Sequence, residues 1–173
     1  MQPDLTSLPP TLAEAARAAW QHILERAPAP LAAQLETAAA ASPTAAQLPR
    51  VLACSPFVAD LCRRQPALLL ELMGSGQLHK SLQESVFRSD LQRRLEAGDT
   101  ETGVVLRRYR QWHMLRIIWR DFCRLADTRE TVRDTSLLAE ACIGAALETS
   151  QAALEARFGV PRGRHGGQRQ QLI

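Results

Sequence analysis

The sequence is poor in the residues that build strands, cofactor loops and metal sites. Aromatic residues make up 5% of it, glycine occurs nine times and valine is scarce. Alanine and leucine dominate, and both favour helix, so the expected fold class is all-α, a multi-helix orthogonal bundle. No apolar run approaches the ~18 residues of a membrane span. The N-terminus, MQPDLTSLPP, has no basic segment followed by an apolar one, so no signal peptide is read there. The expectation is a cytoplasmic protein with no membrane partner. The four cysteines, Cys54, Cys62, Cys123 and Cys142, include no CxxC pair and sit in helix-like apolar patterns. Buried free thiols are expected at all four. What remains is ordinary globular material, 46% hydrophobic and 23% charged over 173 residues, enough for a core.

Of the 21 basic residues only Lys80 is not arginine, and the net charge is +3. That is too little to argue for nucleic acid by itself. Residues 1–49 carry −2, residues 50–106 are neutral, residues 107–156 carry +1, and residues 157–173 carry +4 with no acid. The excess lies in the C-terminal tail.

Residues 1–10 read as an irregular N-terminus. A helix is expected over 11–27, with Thr11 as N-cap and Glu14 completing a capping box. Shorter helices follow at 31–41 and 44–53. Ser55 caps the next, with Pro56 at its first position, and Pro66 opens another that ends at Gly74-Ser75-Gly76. Longer helices are expected at 80–97, stopped by Gly98, and at 101–126, capped by Asp99 or Thr100 and roughly 39 Å long. Asp127 and Glu130 form a second capping box, opening a helix to about Phe158. Gly159 and Pro161 then end it. A helical domain over 11–160 would thus pass into a basic linker, 161–173, with a truncated strand beginning at Leu172–Ile173.

The stretch LRRYRQWHMLRIIWRDF, residues 106–122, mixes five arginines with Tyr109, Trp112, Trp119 and Phe122. On a helical wheel Tyr109, Trp112, Leu115, Ile118, Trp119 and Phe122 form one apolar stripe. Arg116, Arg120 and Arg124 share another face, with Asp121 and Asp127 spaced to pair with Arg124. A single-strand binder would need exposed rings beside the basic groups, whereas this stripe is needed for the core.

The same stretch resembles the signature helix of the bacterial bifunctional glutamine synthetase adenylyltransferase/adenylyl-removing enzymes. That family reads Leu-Arg-Arg-Phe-Arg and, after a polar stretch, Leu-Arg-Ile-Ala-Trp-Arg-Asp-Leu. Here Leu106-Arg107-Arg108-Tyr109-Arg110 and Leu115-Arg116-Ile117-Ile118-Trp119-Arg120-Asp121-Phe122 match it. SPFVADLCRRQPALLLEL (55–72), LLAEACIGAALE (137–148), and RFGVPR with GQRQQLI (157–162, 167–173) are similar to three further family segments, in the same order. The likeness runs from about residue 50 to 173. One departure is Trp112-His113, which stands where the family has an Arg-Glu pair, so a carboxylate role at 113 has no residue here to carry it.

The resemblance implies a nucleotidyltransferase parent. Such an enzyme needs Gly-Ser on a turn beside the nucleotide phosphates and Asp-x-Asp on the next strand, because Mg²⁺ takes hard oxygen ligands. Gly74-Ser75 imitates the first part only. The next aspartate begins Asp90-Leu91-Gln92, which has no second acid, so Gly74-Ser75-Gly76 reads as an interhelical break. Asp99-Thr100-Glu101 suits a helix start. The glycines of GRHGG (163–167) lack the strand, spacing and lysine of a phosphate loop. His22, His79, His113 and His165 are scattered without ligand spacing. No catalytic, cofactor-binding or metal residue is therefore assigned in this chain. Mg²⁺, ATP and phosphate are implied for the parent alone. The implied reading is the N-terminal helical part of that enzyme, cut just before its first nucleotidyltransferase domain and inactive alone. It would support that domain and help dock glutamine synthetase, with PII protein and glutamine tuning the parent. The alternatives are a stand-alone helical interaction module and, from the arginine cluster and basic tail, a nucleic-acid binder.

Overall fold

The computed structural model describes residues 8–41, 44–98, 100–163 and 167–170. Among them are eight helices: α1 (Pro10–Arg26), α2 (Ala29–Ala40), α3 (Thr44–Cys54), α4 (Pro56–Arg64), α5 (Pro66–Gly74), α6 (Glu84–Glu96), α7 (Thr102–Phe122) and α8 (Thr128–Phe158). The class is all-α. An isolated antiparallel bridge, Arg162 with Arg169, is the β-type pairing among the described residues. The truncated strand expected at Leu172–Ile173 lies outside them.

Proline starts several of these helices, because its fixed φ suits the first turn and its missing N–H is not needed there. Pro56 opens α4, where the Ser55 hydroxyl accepts from the Val58 N–H at 3.3 Å. At α1 the capping box expected from Thr11 and Glu14 does not form. The helix begins one residue earlier at Pro10, with Pro9 as N-cap and no side-chain cap. Asp127 does cap α8, its carboxylate accepting from the Glu130 N–H at 2.7 Å. The Glu130 side chain does not close the box, since it turns to Arg120.

Two compact units divide the chain: Met1–Leu82 with Gln111–Thr135, and Gln83–Arg110 with Ser136–Ile173. In the first, α1 packs on α3 and α4, and α2 packs on α3 and α5. Each of these helices has nine to 17 residues, which makes it marginal alone in water. They survive by sharing one core. That core includes Trp20, Ile23, Leu35, Leu48, Val51, Leu61, Leu69, Leu72, Trp112, Leu115 and Trp119, all buried. The second unit buries Phe87, Leu91, Tyr109 and Leu138. There the Tyr109 hydroxyl donates to the Phe87 carbonyl at 2.8 Å, and the Arg94 guanidinium lies 5.5 Å from the ring centre.

Most bounds lie within two residues of those expected, and two helices differ by four. α6 begins at Glu84 rather than 80, because arginine side chains hold the backbone of the preceding loop. α7 ends at Phe122 rather than 126. Its end is a Schellman arrangement, in which the Leu125 N–H donates to the Arg120 carbonyl and the Arg124 N–H to that of Asp121. Arg124 occupies the left-handed position, φ +57°, which glycine fills in most such ends. At the close of α8 it is glycine: Gly159 has φ +84°, beyond easy reach of an L side chain.

Candidate functional site

Arginine is the residue least expected in a core, yet Arg116 is 0% exposed and Arg120 3% exposed. The expectation that they form a charged face with Arg124, paired by Asp121 and Asp127, is corrected here. One turn of α7 explains it. Leu115, Ile117, Ile118 and Trp119 are apolar and occupy the rest of the circumference, and the side that carries Arg116 and Arg120 is covered by the loop of residues 77–80 and the start of α8. The arginines between them go in as well.

Burying a guanidinium is costly unless it is paired and hydrogen-bonded, and both arginines are. Arg116 Nη1 lies 3.2 Å from Asp134 Oδ2, its Nε donates to the Gln77 carbonyl at 3.1 Å, and Nη2 donates to the Lys80 carbonyl. Arg120 Nη2 donates to Glu130 Oε1 at 2.8 Å and to the Leu125 carbonyl at 2.9 Å, and Nη1 donates to the Leu78 carbonyl. Asp134 is 2% exposed and is shared. Its Oδ1 accepts from Arg133 at 2.7 Å, and Arg133 also donates to the Leu82 carbonyl at 3.3 Å. Burial pulls the Arg116 guanidinium below its ordinary pKa, the neighbouring charge of Arg120 does the same, and Asp134 opposes both.

The arrangement is thus a clamp within the first unit. Two buried guanidiniums, Arg116 and Arg120, are matched by the carboxylates of Asp134 and Glu130, and a third, the partly exposed Arg133, shares Asp134. Arg116 and Arg120 take up the carbonyls of residues 77, 78 and 80, which no helix satisfies. Because those carbonyls accept from arginines, residues 80–83 do not join α6. Lysine could not replace either arginine, for it lacks the planar fork that reaches several acceptors at once. The clamp can fix a loop and the start of α8 against α7. It offers no nucleophile and no open face for a reacting group.

The aromatic stripe is as expected. Tyr109, Trp112 and Trp119 are buried, while Ile118 and Phe122 are half-buried against the core. The Trp119 indole N–H donates to Gln47 Oε1 at 3.0 Å. Those rings are not available for stacking on bases. His113, at the position where the family has glutamate, is 2% exposed, its ring 4.8 Å from that of Trp112 and edge-on to it.

The remaining candidates sit where punctuation or surface residues sit. Ser75 Oγ donates to the Leu72 carbonyl and accepts from the Gln77 N–H, so Gly74-Ser75-Gly76 is an interhelical break, as expected. Asp90 on α6 accepts from Arg93 and Arg94. Glu101 lies just before α7 and is exposed, as are His22 and His79. Asp99 and His165 lie outside the described residues. Cys62 is buried, Cys123 and Cys142 are half-buried, and Cys54 is exposed. The expectation of four buried thiols holds fully at Cys62; it is corrected to half-burial at Cys123 and Cys142 and to exposure at Cys54, the last residue of α3. Among the described residues, no group of three His, Cys, Asp or Glu could hold a metal ion, and no helix is long and apolar enough to cross a membrane.

A family model described as glutamate-ammonia ligase adenylyltransferase matches residues 45–173. The chain belongs to that family. Arg116, Arg120, Glu130 and Asp134 all lie inside the matched region. Among curated proteins, the chain is 45% identical over 112 residues to a bifunctional glutamine synthetase adenylyltransferase/adenylyl-removing enzyme of Pseudomonas aeruginosa, which is 64% of this chain and 11% of that protein. It is 40% identical over 114 residues to the enzyme of the same name from Nitrosococcus oceani, 65% of this chain and 12% of that one. The Pseudomonas syringae enzyme is 41% identical over 112 residues, 64% and 11% of the two chains. The chain therefore spans about an eighth of the length of these relatives or less. No solved structure matches it.

Proposed function

We propose that these helices are the N-terminal support of a glutamine synthetase adenylyltransferase/adenylyl-removing enzyme. The parent would remove AMP from a tyrosine of glutamine synthetase with phosphate in its first nucleotidyltransferase domain, and would attach AMP from ATP in a second, C-terminal one. Residues 11–160 would form the helical part, and 161–173 would lead into the first nucleotidyltransferase domain. Mg²⁺, ATP and phosphate would act in those later domains, with PII protein and glutamine setting the balance in the cytoplasm. The family match over residues 45–173 carries this reading. The clamp agrees with it. The family-like segment Leu115–Phe122 supplies both buried arginines, so its charges serve packing, and this chain's share of the work is mechanical.

The test compares the native gene product with the isolated 173-residue chain, each incubated with glutamine synthetase and labelled ATP. The native product is expected to run several times above 19.1 kDa and to label glutamine synthetase, while the isolated chain does not. Turnover by the pure 173-residue chain would overturn the proposal. So would a native product of 19 kDa, which would leave a stand-alone helical interaction module.

A further inference from the structure

The last buried residue of α8 is Leu138. From Ala139 to Phe158, twenty residues, none is buried. At ~1.5 Å per residue that is about 30 Å of helix, with little packing to offset the cost of ordering it.

One face of this length carries an aligned row of large apolar residues, with Ser150 and Gln151 between them. Ile143, Leu147, Leu154 and Phe158 step by four, seven and four and so share a side. Ile143 is 68%, Leu154 51% and Phe158 70% exposed, and Leu147 is half-buried. Scattered surface leucines are ordinary, but an aligned row is the mark of an interaction face. It differs from the side of α8 that meets α6, where Ala141, Gly144, Ala145 and Glu148 line a groove with Phe87 and Leu91.

The described end of the chain returns to this row. After Gly159, the Gln170 N–H donates to the Pro161 carbonyl at 2.9 Å, and Arg169 is clamped on both carboxylate oxygens of Glu155 at 2.9 Å. Gln170 then shares a hollow of about 250 Å³ with Gln151, Leu154 and Phe158. Gln170 thus lies beside the row, and the sequence goes on with Gln171, Leu172 and Ile173. The relatives carry roughly eight times more chain than is matched here.

We infer that the Ile143–Leu147–Leu154–Phe158 face of α8 is the seat of the polypeptide that continues from Gln170, the first nucleotidyltransferase domain in the reading above, on which this inference rests. Arg169 with Glu155 and the turn at Gly159 set the direction of approach, and the row supplies the apolar contact.

Amide hydrogen exchange of residues 139–158 tests this in the native full-length product and in the 173-residue chain. Exchange is expected to be slower by an order of magnitude or more in the full-length protein. Leu154→Asp with Phe158→Asp should abolish that difference in the full-length protein and leave the thermal midpoint of the 173-residue chain unchanged. A full-length product that transfers AMP, yet exchanges these residues as fast as the short chain, overturns the docking face while the family reading stands. A native product of 19 kDa overturns the reading beneath it. Protection in the 173-residue chain that grows with concentration, together with a dimer in sedimentation, makes a second copy the occupant and also overturns the inference.

Discussion

At the scale of single residues, the Arg116–Asp134 pair decides more than any aromatic ring. Both members are essentially out of solvent, so Asp134→Ala strands the Arg116 charge in the core, while Arg116→Ala leaves Asp134 buried with Arg133 as its one remaining ion-pair partner. Arg116→Ala and Asp134→Ala are each expected to cost about 3–5 kcal/mol in urea denaturation, comparable to Trp119→Ala at about 3–5 kcal/mol. Arg107→Ala, at an exposed position, should stay within about 0.5 kcal/mol. Equal small effects at Arg116 and Arg107 would contradict the clamp. The thiols carry a pH prediction. Burial pushes Cys62 from an ordinary 9.0 up to about 12, and Cys123 up to about 11. The folded state therefore keeps protons that the unfolded chain loses above about pH 9, and stability falls as pH rises through that window. In a series of denaturation curves from pH 8 to 11, Cys62→Ala should reduce the slope by up to about 1.4 kcal/mol per pH unit. An unchanged slope would mean that the thiol ionises inside the fold. A labelling reagent at pH 8 should react first with Cys54.

At the scale of elements, proline and glycine made most helix boundaries legible. Pro56, Pro66, Gly98 and Gly159 each act through local backbone geometry, which needs no knowledge of distant residues. Two ends were hidden, one because side chains far along the chain set it and one because an unusual residue fills a local turn. The start of α6 waits on Arg116 and Arg133, which take the carbonyls of Lys80 and Leu82. The end of α7 is a Schellman turn with arginine where glycine would announce it. Replacing that residue tests the account. Arg124→Gly is expected to stabilise the protein by about 0.5–1 kcal/mol, the relief of left-handed strain less the added freedom of the unfolded chain. A loss of stability in chemical denaturation would mean that the Arg124 side chain contributes more than its backbone costs.

At the scale of the whole molecule, the arginine-rich composition and the basic tail invite a nucleic-acid reading. Arg169 is held by Glu155, and Arg162 donates to the Gly167 carbonyl. Tyr109, Trp112 and Trp119 are inside. A fluorescent single-stranded oligonucleotide at about 50 mM salt should therefore show no binding, whereas tight binding that falls steeply with salt would restore that reading. The family was legible because its likeness rests on linear order, with four segments in sequence. Which residues of the signature helix carry weight was not legible, because the wheel puts Arg116 and Arg120 on a common face and cannot tell a solvated face from one covered by a loop and the next helix.

The sequence alone determined the all-α class, most helix limits, the aromatic core stripe and the family. These follow from local propensity, capping chemistry and the order of residues, all of which are one-dimensional. The tertiary structure alone decided that two arginines are core residues, that Cys54 is exposed, and that one row of α8 is left uncovered. Burial is a property of what packs against a residue, and those neighbours come from loops and helices well away in sequence. For Arg116 the nearest acid that matters is Asp134, eighteen residues on, and its other acceptors lie almost forty residues before it.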